Sequence, residues 1–304
     1  MTKPEVIRRR RLRRKRRRAI KRAVCMAVLL TGIVAVLRMA GNHLLPTDSM
    51  AKPESAHLQA ASAVTVSRPV ERHSSLITDD LKNYSKAGKT AAKIYKNRNQ
   101  YSETLLAAYL NNPEMEEFID GYLDADLPQY SAQGGLTRQE LRQDFPLFLQ
   151  WDKRWGYVSY GGSIIGLSGC GPTCMSMVLV SLTGSSDMTP AEVARFSEEN
   201  GYYVEGSGTS WSLMTDGAYA LGLSARELSL DESVMKSSLD SGHPIICSMG
   251  PGDFTTQGHF ILIYGYDAEG FLVNDPNCIS RSSRHWDFET LRGQIKNLWA
   301  YSAL

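Results

Sequence analysis

Residues 167–177 read LSGCGPTCMSM, with Cys170 and Cys174 four positions apart. A thiol attacks a carbonyl as its thiolate, which is favoured at a helix N-terminus and beside an imidazolium. Pro172 suits the first turn of a helix, so Cys170 is expected at or just before the helix start. Gly169 and Gly171 are expected to leave room for a substrate backbone. Cys174 falls one turn further in, on the face of Cys170 and Val178, and reads as an inert buried thiol. The C-x3-C spacing suits neither a thioredoxin-type pair nor, without a second pair, a zinc site, so no metal or cofactor is expected.

A cysteine nucleophile needs a base, and the base needs an orienting group. Of the six histidines, His43, His57 and His73 lie within residues 38–78, which read as the flank of a membrane anchor and a tether. His243 ends a helix at SGH, and His285 sits in a polar loop. His259 differs, because it opens the most apolar strand, HFILIYGY, where an unpartnered polar ring would be costly. The next strand ends in Val273-Asn274-Asp275-Pro276. A carboxylate beside an imidazole fixes its tautomer and raises its basicity. In an ideal hairpin Asn274 falls on the face of His259 and Asp275 on the other, unless a bulge reverses them. Asp275 is the expected orienting group, with Asn274 in reserve.

Acyl transfer also needs oxyanion donors. The backbone N–H of Cys170 is one, and the Gln150 side chain in FLQWDKRW is the other candidate. Trp151 beside it and Gly258, which closes MGPGDFTTQG (249–258), are candidate substrate contacts.

Helical signals must place the thiol and strand signals the imidazole. Residues 79–126 look helical, with Ser102 as an N-cap, Leu105, Leu106, Tyr109 and Leu110 on one face, and a break at Asn112-Pro113. LTRQELRQDF adds a short helix capped by Thr137. Helices then follow from Pro172 to Leu182, over PAEVARFSEEN, over SWSLMTDGAYALG and over LDESVMKSSLDSG. The period switches to strands at HPIICSM, GHFILIYGYD, GFLVNDP and KNLWAYSA, with a hairpin turn at DAEG. Helices first and an antiparallel sheet second predict an α+β fold.

Taken together, Gln150 in LQWD, Cys170 in GCGPTCMSM, His259 in GHF and Asp275 in NDP resemble the C39-like peptidase domain, a papain-fold group of cysteine peptidases. The resemblance covers residues 143–304. It implies a papain-like fold of N-terminal helices packed on an antiparallel sheet. By that likeness Cys170 is the nucleophile, His259 the base, Asp275 the orienting acid and Gln150 the oxyanion donor, acting on a peptide or protein substrate. Two other functions fit the same residues less closely. One is a cell-wall peptide hydrolase of the NlpC/P60 or CHAP kind, and the other a non-catalytic peptide-binding module in a peptidase fold.

The chain ahead of this domain is unlike it. Residues 1–22 hold thirteen Lys/Arg against the single acid Glu5, or +12, and the whole chain carries +2, so the remainder carries −10. From Ala23 to Leu37 there is no charge, and the apolar character resumes weakly to Leu45, which predicts a short transmembrane signal anchor over 23–45. The basic tail then reads as cytoplasmic and as touching anionic lipid rather than nucleic acid. The peptidase domain is expected to be extracellular on a single-pass membrane protein. Cleavage at RMAG would instead release a secreted protein. Residues 46–78 read as a flexible tether and 79–142 as a helical stalk.

Overall fold

The chain is described by a computed structural model covering residues 66–304 apart from 128, 129 and 207. The expected basic tail, signal anchor and first part of the tether lie outside the described residues. Among the described residues no helix is long and apolar enough to cross a membrane.

Among the described residues four helices come first: α1 (Ser74–Tyr84), α2 (Lys89–Lys96), α3 (Glu103–Asn111) and α4 (Glu116–Gly121). Ser102 caps α3 by accepting from Leu105 N at 3.2 Å. Asn112 ends α3, and its side chain accepts from Glu114 N, starting the 3-10 turn Pro113–Met115. Leu105, Leu106, Tyr109, Met115, Phe118 and Ile119 are buried together with Tyr157 and Ile164. The segment expected as a stalk therefore shares a core with the domain that follows it. Phe118 stacks on Tyr157 with ring centres 4.5 Å apart, and the Tyr157 hydroxyl donates to Phe118 O at 2.7 Å. Gly166 has no side chain because the Phe118 ring stands where its Cβ would be, 2.4 Å away. Phe118→Ala should cost about 3–5 kcal/mol of stability, since it removes a buried ring and leaves a cavity at this seam; urea denaturation measures it.

The helix expected at LTRQELRQDF is a single 3-10 turn, Glu140–Arg142, whose cap position is Gln139, although Thr137 Oγ1 accepts from Glu140 N at 3.2 Å. Pro146 disfavours helical backbone at the residue before it. The Glu140 carboxylate is also taken up by Arg154 at 2.7 Å and by Thr137 N.

The short hairpin β1 (Ser159–Tyr160) with β2 (Ser163–Ile164) leads into α5 (Ile165–Ser168) and then α6 (Cys170–Thr183). α6 stops at Gly184, whose φ of 70° closes the helix in the left-handed region. α7 (Pro190–Glu199) begins at Pro190 with Thr189 accepting from Glu192 N. A second small hairpin pairs β3 (Tyr203–Val204) with β4 (Gly208–Thr209). The helix expected over SWSLMTDGAYALG is broken at Thr215 into a 3-10 turn, Trp211–Met214, and α8 (Asp216–Ala220).

The sheet consists of β5 (Leu223–Glu227), β6 (Ile245–Met249), β7 (His259–Asp267), β8 (Gly270–Asn274), β9 (His285–Trp286) and β10 (Ile295–Ala303), in the order β5-β10-β6-β7-β8-β9. Every pairing is antiparallel. The last strand thus inserts between β5 and β6. One face carries Ile246, Phe260, Leu262, Trp299 and Tyr301 against Cys174, Met177 and Val178 of α6. The other carries Ile245, Cys247, Ile261 and Ile263 against Met235 of α9 (Glu232–Asp240) and Leu291 of α11 (Phe288–Arg292), the short α10 (Ile279–Ser282) lying between these two helices in sequence. With both faces covered, β6 and the first half of β7 are buried at every residue rather than at alternate ones.

Candidate active site

Cys170 is the first residue of α6, behind the cap residue Gly169, so Pro172 stands two positions further in. The first-turn N–H groups of a helix have no partner within it and carry its positive end. Cys170 is half-buried, whereas Cys174, Cys247 and Cys278 are buried. Burial, followed by the neighbouring Cys170, holds the Cys174 thiol well above its ordinary range, and burial does the same for Cys247. Cys278 is pushed up to about 12, mainly by burial. These three are built as protonated, inert thiols.

His259 opens β7 opposite Met249 of β6. Its Nε2 lies 2.7 Å from Asp275 Oδ1, and Cys170 is close enough to help raise the pKa of the same ring. With Nε2 engaged by the carboxylate, Nδ1 is the nitrogen left for the sulfur. Burial opposes the charged imidazole, but Asp275 and then Cys170 together outweigh it and raise the ring's pKa to about 9.

Asp275 reaches His259 because of a bulge. Tyr266 pairs with Phe271 and Gly265 with Leu272, but the next pair is Ile263 with Val273, so Tyr264 is the extra residue. Without it, Asn274 would stand opposite Ile263 and share the face of His259. With it, Asn274 stands opposite Leu262, and the continued register brings Asp275 to the face of His259. Asn274 instead donates to Phe145 O and Pro146 O at 3.2 and 3.3 Å.

Asp275 is fully buried and closely held. Oδ1 also accepts from Asn277 N at 2.8 Å, Oδ2 lies 3.4 Å from Arg281, and Asp275 N donates to Ser282 Oγ at 2.8 Å. Burial favours the neutral acid, but the charges of His259 and Arg281 and the donated hydrogen bonds keep the pKa below the usual carboxylate value. Arg281 and Ser282 had no signal in the polar run SRSSRH. A buried arginine is the exception to composition rules and is found only through its partner.

Gln150 is buried between the two halves of the site. Its backbone N donates to Pro276 O at 2.7 Å, and its Nε2 donates to Gly166 O at 3.0 Å, four residues before the thiol. Trp151, a candidate substrate contact, has its indole N–H committed to Asn277 O at 2.8 Å. Gly258 stands exposed before His259 with nothing within 4 Å of a Cβ. The room expected at Gly169 and Gly171 is filled by the chain itself. A Cβ at Gly169 would meet Ile165 at 2.5 Å, and one at Gly171 would meet Thr209 at 2.7 Å. Both glycines are buried and admit close packing around the helix start. His285 pairs with Asp267 at 2.9 Å and Glu269 at 3.4 Å, as a surface cluster. Among the described residues no group of three or more His, Cys, Asp or Glu side chains is arranged to hold a metal ion.

Residues 142–303 match the model of the Peptidase_C39 like family. Two solved structures are similar over part of the chain. One is the peptidase domain of Streptococcus ComA, a bi-functional ABC transporter involved in a quorum-sensing pathway (18% identity, TM-score 0.37, covering 45% of this chain and 93% of that one). The other is a C39-like peptidase from Bacillus anthracis (16% identity, TM-score 0.30, covering 45% and 90%). No curated protein matches the chain.

Proposed function

Because the chain belongs to the Peptidase_C39 like family, whose model matches more than half of it, we propose that it is a cysteine peptidase working through Cys170, His259 and Asp275. The observation that carries this reading is the buried pair of His259 Nε2 and Asp275 Oδ1 at 2.7 Å, with the half-buried Cys170 at the head of α6 acting on the same ring. With its proton already held on the His259 ring, Cys170 Sγ attacks the scissile carbonyl carbon as the thiolate. The carbonyl oxygen becomes an oxyanion beside the first-turn N–H of α6 and, in this reading, the Gln150 amide. Collapse breaks the C–N bond, and His259 returns the proton to the leaving amine, which leaves a thioester on Cys170. His259 then takes a proton from water, the hydroxide attacks the thioester, and the acid product departs as Cys170 is expelled as the thiolate beside the recharged ring. Asp275 keeps the imidazolium oriented and stabilised throughout. The uncharged run 23–37 beside the basic block of residues 1–22 supports placing this activity outside the cell on a membrane anchor.

Iodoacetamide applied to the native protein near neutral pH, with modified sites mapped by mass spectrometry, should alkylate Cys170 and spare Cys174, Cys247 and Cys278. Cys170→Ala should abolish that labelling. Alkylation spread equally over the four thiols, or none at Cys170, sinks the reading. Labelling and peptide binding without turnover of any peptide would favour the non-catalytic module instead.

A further inference from the structure

The loop that carries Asp275 is gripped by residues well outside the matched family region, which begins at 142. Asn112, fully buried at the end of α3, donates through Nδ2 to Asn277 O, the same oxygen that Trp151 Nε1 reaches. The N–H of Asn277 in turn donates to Asp275 Oδ1, the oxygen that holds His259. Two residues on from Asn112, the Glu114 carboxylate accepts from Ile279 N at 2.7 Å, from Ser280 N at 2.9 Å and from the Ser280 hydroxyl. Those are orphan first-turn donors of α10, which its own cap Cys278 leaves open by accepting from Arg281 N. α10 carries Arg281 and Ser282, the two side chains that hold Asp275 from its other side.

We propose that the turn Asn112–Glu114 is a positioning element of the active site, with Asn112 fixing Asn277, whose own N–H donates to Asp275, and Glu114 fixing the helix that carries Arg281 and Ser282. The inference rests on the catalytic reading of Asp275 and His259. Neither residue touches substrate or the reacting atoms, and both act through Asp275. An acceptor with two oxygens is needed at 114 because three donors converge there. An amide at 112 suits both its tasks, since Oδ1 takes Glu114 N while Nδ2 reaches Asn277. The helical layer ahead of the matched region is thereby part of the catalytic scaffold. What moves Asn112 or Glu114 against the 275–282 loop would be felt at His259.

The test compares Glu114→Ala, Asn112→Ala and Glu114→Gln with Leu105→Ala, which loosens the core of the same helix layer without touching the loop. The groups facing the His259 ring are Cys170 and Asp275, with Arg281 behind Asp275. The His259 titration, followed by NMR of the ring protons, should move down by about one pH unit in Glu114→Ala and Asn112→Ala. Glu114→Gln, which keeps one acceptor, should move it less, and Leu105→Ala should lower only the melting temperature. Hydrolysis of a mixed peptide library should lose about tenfold or more in kcat with KM kept, as expected when a group in the reacting chain is misplaced. A His259 titration unchanged in Glu114→Ala, or shifted equally by Leu105→Ala, overturns the proposal. The titration needs no turnover, so this outcome is separate from a wild-type protein that fails to cleave, which would overturn the peptidase reading.

Discussion

Cys170→Ala is expected to abolish peptide hydrolysis, His259→Gln to lower kcat/KM about 10²–10⁴-fold, and the double variant to be no slower than Cys170→Ala alone. The three results belong together, because a nucleophile and its base act as one unit and their losses do not add. Without the ring, no group remains to take the thiol proton and return it to the leaving amine. Cys174 cannot substitute, since it is buried one turn below and held protonated. The same pair sets the alkaline limb. The His259 pKa, which burial would lower and Asp275 raises, stands at about 9, so the ring is charged through the neutral range and loses its proton as pH rises through that value. The acid that protonates the leaving amine is lost with it, and hydrolysis should fall there. Asp275 does not set a limb near neutrality, because its carboxyl is held below the usual carboxylate range. Fragment release from a mixed peptide library, followed by mass spectrometry between about pH 5 and 10, measures all of this. Persisting cleavage in Cys170→Ala would refute the assignment of the nucleophile.

Much of this site could be read along the chain, and what could not be read depends on contacts distant in sequence. The Gly-Cys-Gly-Pro start of α6 is a local signal, and Cys170 falls within one position of where that signal puts it. His259 was legible because a polar ring at the head of HFILIYGY demands a partner. Asp275 was expected ahead of Asn274, but the bulge that brings it to the face of His259 was not legible, because alternation alone cannot predict one extra residue at Tyr264. The same holds for the place of β10 between β5 and β6, which links residues about seventy positions apart. β5 was missed because LSARE, at the sheet edge, keeps a largely exposed polar pattern. Gly169 and Gly171 showed the opposite failure. Their smallness was visible, but whether the space belonged to a substrate or to Ile165 and Thr209 needed the fold. Nothing local marked Asn112 and Glu114, which lie in an acidic stretch whose simplest reading is solvation.

Asp275→Ala should destabilise the fold by about 3–5 kcal/mol, more than any loss expected from removing a surface charge. The carboxylate is the common partner of two buried cationic groups, His259 at 2.7 Å and Arg281 at 3.4 Å, and of the Asn277 N–H. Removing it strands a guanidinium that is 4% exposed and whose Nη2 already lacks a hydrogen-bond partner among the described residues. The imidazole can relieve its own burial by losing its proton, but the arginine cannot. Most of the penalty should therefore lie with Arg281, and adding Arg281→Met to Asp275→Ala should restore about 1–3 kcal/mol while leaving hydrolysis absent. Asp275→Asn should cost less stability than Asp275→Ala, since the amide oxygen can still accept from His259 while its NH2 faces the guanidinium. Urea denaturation of the singles and the double, with peptide cleavage on the same samples, separates the two roles. If the double variant is as unstable as the sum of its singles, Arg281 is not the group that Asp275 neutralises. If it recovers stability and activity together, Asp275 is scaffold only, and the orientation of His259 rests elsewhere.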